Sequence, residues 1–270
     1  MLEKIKVTSN YILERTRFNT EIAIILGTGL GGLVKEITVE HSIPYSEIPN
    51  FPVSTVEGHK GQLIFGKLGG KNVIAMQGRF HYYEGYSMKE VTFPVRVMKA
   101  LGIKTLFVSN ASGGLNPTYK VGDLMMINDH INMFGDNPLL GKNVNELGPR
   151  FPDMSQPYTL TLRNLALEIA RQNRIELKEG VYVGVPGPTF ETPAEYKMFR
   201  IVGGDAIGMS TVPEVIVARH MNMSVFGISI ITDSGVPGHI VEISHEEVQA
   251  IAARAEPKMS LIIRELIASI

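Results

Sequence analysis

The sequence predicts a single α/β domain spanning residues 1–270, with a central mixed β-sheet flanked by α-helices. Three observations carry this. Apolar strand-like runs alternate with helical patterns along the chain. Most of those runs are continuously apolar, as in strands buried on both faces. No linker, repeat or low-complexity tract divides the 270 residues.

The strand-like runs fall at 23–26, 62–68, 72–77, 105–108, 124–127, 181–185 and 225–232. Gly69-Gly70-Lys71 between the second and third is a hairpin signal. Helical patterns cover 5–17, 88–101, 159–173, 193–201 and 213–221. The last helix is the clearest: Val248, Ile251, Ala252, Ala255, Met259, Ile262, Ile263 and Leu266 recur at three- and four-residue steps. Ser244 and Glu247 form a capping box at its start. Segments 44–61, 128–157 and 233–244 lack periodicity and are rich in Gly, Pro and polar residues. Loops as long as the middle one are commonly functional or partner-binding.

Hydrophobic residues make up 44% and charged residues 20%, and the net charge is -1. These are globular proportions. A nucleic-acid groove or an anionic-membrane surface gains no support from that balance. Cysteine is absent, which excludes disulfides, thiolate zinc sites and a cysteine nucleophile. No stretch is apolar enough to span a bilayer, and the first residues carry no long apolar signal region, so a soluble cytoplasmic protein is expected. No clustered His and carboxylate set has metal-ligand character, so neither metal nor organic cofactor is expected.

In α/β sheets ligands sit where loops leave the carboxyl ends of strands, so chemistry is sought at those junctions. Gly27-Thr28-Gly29-Leu30-Gly31-Gly32 follows the first strand. It formally fits a dinucleotide fingerprint, but only a short helical piece and two prolines follow it. A tight turn is a second reading. A single-phosphate cradle, with exposed N–H groups and the Thr28 hydroxyl, is the third. In the next junction, 77–85, an extended backbone puts Arg79, His81 and Tyr83 on one side, an anion- and hydroxyl-binding set. Segment 109–116 joins a strand to small residues whose N–H groups a ligand can approach, or forms an ordinary glycine turn. Segment 186–192 offers Phe190 to stack on a flat ring and Glu191 to accept from a base edge; alternatively Thr189 or Thr192 caps a helix and Glu191 sits in its first turn. Segments 208–214 and 232–234 and His245 are unspecific alone.

Together these segments resemble the trimeric family of purine nucleoside phosphorylases, from about Ile22 into the final helix. Four motifs carry the resemblance: Gly27-Thr28-Gly29-Leu30-Gly31, Gly78-Arg79-Phe80-His81-x-Tyr83-Glu84-Gly85, Gly187-Pro188-x-Phe190-Glu191-Thr192 and Gly208-Met209-Ser210-Thr211-Val212-Pro213-Glu214. The resemblance implies a partly barrel-like sheet and phosphorolysis of purine ribonucleosides or deoxyribonucleosides to base and (deoxy)ribose 1-phosphate. Phosphate would be a co-substrate held by Thr28, Arg79, His81, Ser210 and the N–H of Ala111. Tyr83, Tyr182, Met209 and His245 would meet the sugar, with His59 near its end. Phe190, Glu191 and Asp233 would meet the base, and Phe151 would close a neighbour's site in a homotrimer. His81, Glu191, Asp233 and His245 are the expected catalytic residues.

Family members best known for inosine and guanosine carry Asn where this chain has Asp233. A carboxylate cannot donate to a purine N7 or O6. Either burial and Glu191 keep Asp233 protonated, or the site takes 6-aminopurines. Glu191 favours 6-oxopurines. The rivals are a methylthioadenosine phosphorylase, a dinucleotide-binding module, a non-catalytic nucleoside sensor and a hydrolase.

Overall fold

The computed structural model describes all residues except 29, 54 and 56–59. Nine strands lie among the described residues: β1 (Ile22–Leu26), β2 (Thr38–Pro44), β3 (Gln62–Leu68), β4 (Lys71–Gln77), β5 (Thr105–Gly114), β6 (Leu124–Asn132), β7 (Leu177–Gly184), β8 (Ala206–Gly208) and β9 (Ser224–Ser234). The helices are α1 (Leu2–Thr16), α2 (Met88–Val91), α3 (Phe93–Ala100), α4 (Leu160–Gln172), α5 (Pro193–Ile201), α6 (Val212–His220) and α7 (His245–Ala268). None is long and apolar enough to cross a membrane.

One mixed sheet runs β2-β3-β4-β1-β5-β8-β7-β6-β9, and β5 also pairs with β9. That extra pairing closes β5, β8, β7, β6 and β9 into a barrel, with β2, β3, β4 and β1 continuing outward as an open wing. The expected partly barrel-like mixed sheet is therefore present. β1 lies parallel to both β4 (Ala23 opposite Ile74) and β5 (Ile22 opposite Thr105), while the β3–β4 hairpin turns at Gly69-Gly70.

The alternation of side chains in β1 explains why the run is wholly apolar. Ala23 and Ile25 enter one core with α1, α3 and α6; Ile22, Ile24 and Leu26 enter the other with α4 and α7. The apolar face read in the final helix packs there, through Ala252, Ala255, Met259, Ile262, Ile263 and Leu266. Ser244 caps that helix and Glu247 returns the bond to the Ser244 N–H at 2.8 Å.

Several expectations are corrected. β2 is a strand the sequence does not predict; it is an edge whose residues are exposed apart from Ile43, so it lacks an apolar signature. The helix expected over 88–101 breaks at Thr92, because Pro94 has no N–H to donate to Glu90 O four residues back. Residues 109–114 are no turn but the continuation of β5, paired with β9 over its whole length. The segment 128–157 is organised by side chains bonding its own backbone: Asn132 Nδ2 donates to Asp136 O (3.0 Å) and Arg150 Nη1 to Gly141 O (2.8 Å). The dinucleotide reading of the glycine loop fails. β1 leads through a three-ten turn, Gly31–Glu36, to the antiparallel edge β2, with no crossover to a parallel strand.

Candidate active site

Strands β1, β4, β5, β7, β8 and β9 deliver their ends or the loops after them to one cavity. Thr28, Arg79, His81, Tyr83, Ala111, Phe190, Glu191, Met209, Ser210, Asp233 and His245 all line it. Fourteen residues are expected at the site, one of them, Phe151, at a neighbour's; these eleven line the cavity. Tyr182 is corrected: it is fully buried and lies behind the wall. A Cβ on Gly208 would stand 2.4 Å from the Tyr182 hydroxyl, so glycine is required there. Phe151 does not line this chain's own cavity; it is 87% exposed, with the Arg150 guanidinium 5.7 Å from its ring. His59 lies outside the described residues.

Arg79 is 1% exposed yet fully organised. Its Nε and Nη2 donate to the two carboxylate oxygens of Glu214 at 3.0 and 3.1 Å. Nη1 donates to Ser109 O (2.7 Å) and to Ser210 Oγ (3.2 Å). A two-pronged ion pair fixes the guanidinium plane as well as its position. Gly27 is needed beside it, because a Cβ there would meet Ser109 O at 2.8 Å and Arg79 Nη1 at 3.1 Å.

The extended backbone assumed for 79–83 gives way to a three-ten turn, Tyr82–Glu84. Arg79, His81 and Tyr83 still reach the cavity, and the His81 and Tyr83 rings stack at 4.7 Å. Phe80 points the other way, into an aromatic cluster with Tyr45 and Phe51. Glu84 Oε1 accepts from the His81 N–H (2.7 Å) and faces His81 Nδ1 (3.3 Å). Burial raises the Glu84 carboxyl, but the hydrogen bonds from His81 and Thr55 outweigh it and hold it at about 2. Burial lowers the His81 imidazole against the opposing pull of Glu84. A neutral ring with Nδ1–H toward Glu84 leaves Nε2 as an acceptor.

Ser210 precedes a strained residue. Thr211 has φ 69° and ψ −55°, a conformation a β-branched residue rarely adopts. Asn110 Nδ2 donates to Thr211 Oγ1 (2.8 Å), and Ser229 Oγ donates to Asn110 Oδ1 (2.7 Å). This buried chain ties β5, β9 and the start of α6 together and holds the strain at the site.

At the far end, two carboxyl groups flank a phenol. Tyr196 Oη donates to Asp233 Oδ2 at 3.3 Å and is also bonded to Glu191. Thr232 Oγ1 donates to Asp233 Oδ1 at 3.0 Å. Burial pushes the Asp233 carboxyl up despite these bonds. Burial likewise pushes Glu191 up to about 6, with a contribution from the Asp233 charge. Thr192 caps α5 in a capping box with Glu195. So Thr192 is the cap, and Glu191, one residue before it, is released to the cavity. Phe190 is 44% exposed at the rim. His245, the first residue of α7, reaches the cavity and its Nε2 lies 3.0 Å from Gln249 Nε2.

Glu84, Asn110, Tyr196, Thr211 and Glu214 have no role that the sequence alone predicts. Glu84, Thr211 and Glu214 carried a signal, since all three stand inside the four motifs. Tyr196 carried none; only the packing of α5 brings it between the carboxyl groups.

The site has two chemically distinct ends: a cationic, hydroxyl-rich one beside β1, β4 and β8, and a carboxyl-bearing one beside β9 and α5. Among the described residues no group of three His, Asp or Glu is placed to hold a metal ion. Residues 21–268 match the family model of the phosphorylase superfamily. The chain is 55% identical over 244 residues to purine nucleoside phosphorylase 1 of Geobacillus stearothermophilus, covering 90% of this chain and 89% of that one. It is 49% identical over 268 residues to purine nucleoside phosphorylase 1 of Bacillus subtilis, covering 99% of each. The crystal structure of Schistosoma mansoni purine nucleoside phosphorylase in complex with adenosine superimposes with a TM-score of 0.95 at 44% identity, over 99% of this chain and 97% of that one. Shared fold, shared motifs and near-complete coverage agree: the chain belongs to the phosphorylase superfamily and, within it, to the purine nucleoside phosphorylases.

Proposed function

We propose that the cavity takes inorganic phosphate at its cationic end and the purine at its carboxyl end, with the sugar between them and 6-oxopurine nucleosides preferred. The reaction is that of a pentosyltransferase: a purine nucleoside and phosphate give the free base and pentose 1-phosphate. The observation that carries the residue assignment is the joint lining of one cavity by Thr28, Arg79, His81 and Ser210 on one side and Glu191 and Asp233 on the other.

Phosphate sits against Arg79, Ser210, Thr28, the Ala111 N–H and His81. Neutral His81 accepts from a phosphate hydroxyl through Nε2. As the C1′–N9 bond breaks, positive charge grows on the sugar and negative charge on the purine. The fixed phosphate dianion stabilises the first and forms the new C1′–O bond. The second is met at the base: ionised Glu191 accepts the N1–H, and a protonated Asp233 donates to N7, which its burial favours. Tyr83, Met209 and His245 contact the sugar, Phe190 covers the base, and no metal or organic cofactor takes part. Tyr182 is withdrawn from the sugar contacts. A homotrimer in which Phe151 caps a neighbour's cavity accounts for an aromatic side chain left so exposed. Cytoplasmic location agrees with a cysteine-free chain.

One observation favours a second reading of the base. An ionised Asp233 accepts from a 6-amino group, and the Schistosoma mansoni relative was crystallised with adenosine. A panel of inosine, guanosine, adenosine, xanthosine and methylthioadenosine, assayed with and without phosphate, decides. Phosphate-dependent release of hypoxanthine and guanine above adenine supports the first reading. Adenine release at equal kcat/KM replaces it with the second. Base release without phosphate would overturn phosphorolysis itself.

A further inference from the structure

We propose that a second cavity, between α3, α6 and the segment after β6, binds a phosphate-class oxyanion at a site separate from the active site. It measures about 90 Å³ and is lined by Lys89, Arg96, Lys142, Asn143 and His220 among apolar residues that include Leu139 and Leu147. None of its lining residues lines the active cavity.

Arg96 is the reason for the assignment. It is 6% exposed, and its Nε and Nη1 are shielded from solvent with no hydrogen-bond partner. Among the described residues no carboxylate lines the cavity. A buried cation without a counter-charge is strongly disfavoured. Arg79 shows how this fold treats a buried guanidinium when the charge is answered within the chain, with Glu214 across both prongs. Arg96 has no such answer. The other polar groups at the cavity are donors of the same sign: the exposed amines of Lys89 and Lys142, and the Asn143 amide. His220 is 3% exposed, and burial and Arg96 both disfavour its charged form; a bound anion would reverse the second effect.

The donors set the ligand class. The cavity exceeds the ~10–15 Å³ that a single water needs on the same measure, so a small tetrahedral ion can enter it. A guanidinium fork with two lysines and an amide matches the oxygens of such an ion.

Equilibrium dialysis of the intact protein against radiolabelled inorganic phosphate tests the site. The expected result is two phosphates per chain. Arg79→Met removes one and Arg96→Met the other, and Arg96→Met keeps turnover at saturating phosphate. One phosphate per wild-type chain, or two in Arg96→Met, overturns the proposal. If Arg96→Met does not fold, by circular dichroism and thermal melting, the surface double variant Lys89→Ala/Lys142→Ala decides: its second dissociation constant should rise about tenfold or more, and an unchanged constant overturns the proposal. Competition separates the sources of the oxyanion. Displacement of the second phosphate by sulfate but not by glycerol 3-phosphate assigns the free ion, and displacement by both assigns a phosphate monoester.

Discussion

Glu214 is the anchor on which the phosphate end depends, and Glu214→Ala is the sharpest perturbation of it. The carboxylate is 3% exposed and receives two of the Arg79 donors, at 3.0 and 3.1 Å. Removing it leaves a guanidinium that is 1% exposed with its bonds to Ser109 O and Ser210 Oγ but without its counter-charge. Breaking a buried pair from one side costs about 3–5 kcal/mol. At roughly 2–4 °C per kcal/mol for a chain of this size, the melting temperature should fall on the order of 10 °C. The guanidinium also loses the contact that sets its plane. A misdirected charged hydrogen bond costs about 1.5–3 kcal/mol, so KM for phosphate should rise roughly 10- to 100-fold. Glu214→Gln keeps one acceptor oxygen and should fall between the two. Initial rates at saturating inosine with phosphate varied, and melts of the same preparations, read both effects. A phosphate KM within twofold of wild type at an unchanged melting temperature would refute the anchoring role.

The pH dependence of the base end follows from Glu191. Its folded pKa of about 6 lies above the usual carboxylate value, so the fold favours the neutral form. That contribution to stability is present below the unfolded pKa and is lost as pH rises through about 6, on the order of 1–2 kcal/mol. Activity runs the other way, because only the ionised form accepts N1–H: kcat/KM for inosine should climb through about pH 6, and Glu191→Gln should lack that limb. A limb that persists in Glu191→Gln would assign it elsewhere. Tyr196→Phe removes a bond that lowers both carboxyl groups, so the same limb should move to higher pH; a profile superimposable on wild type counts against the bridge. Asp233→Asn supplies a permanent donor and should raise the inosine-to-adenosine ratio of kcat/KM roughly tenfold or more, from about 1–3 kcal/mol of mismatch removed. An unaltered ratio would take Asp233 out of base selection.

Much of the architecture was legible in the sequence because burial leaves a pattern. β1 is apolar at every position since both its faces are covered, and α7 repeats its apolar residues at helical spacing since one face is. β2 and β8 escaped detection for the complementary reason. The first is an exposed edge and the second is three residues long, so neither carries the alternation or the run that marks a strand. The cavity-lining residues were legible as motifs at strand ends, and eleven of them converge.

What the sequence by itself determined is the kind of chemistry each segment carries: a guanidinium and imidazole after one strand, a hydroxyl after another, a carboxyl at the end of a third and a second carboxyl in the loop after a fourth. Side-chain type and strand-end position are local properties, written in consecutive residues. Tertiary structure alone decided who partners whom. Arg79 meets Glu214, 135 positions away, Tyr196 enters between Glu191 and Asp233, and Tyr182 withdraws behind Gly208. Barrel closure of β5 against β9 sets those distances, and pKa values and hydrogen bonds depend on distances of a few ångströms that no local pattern records.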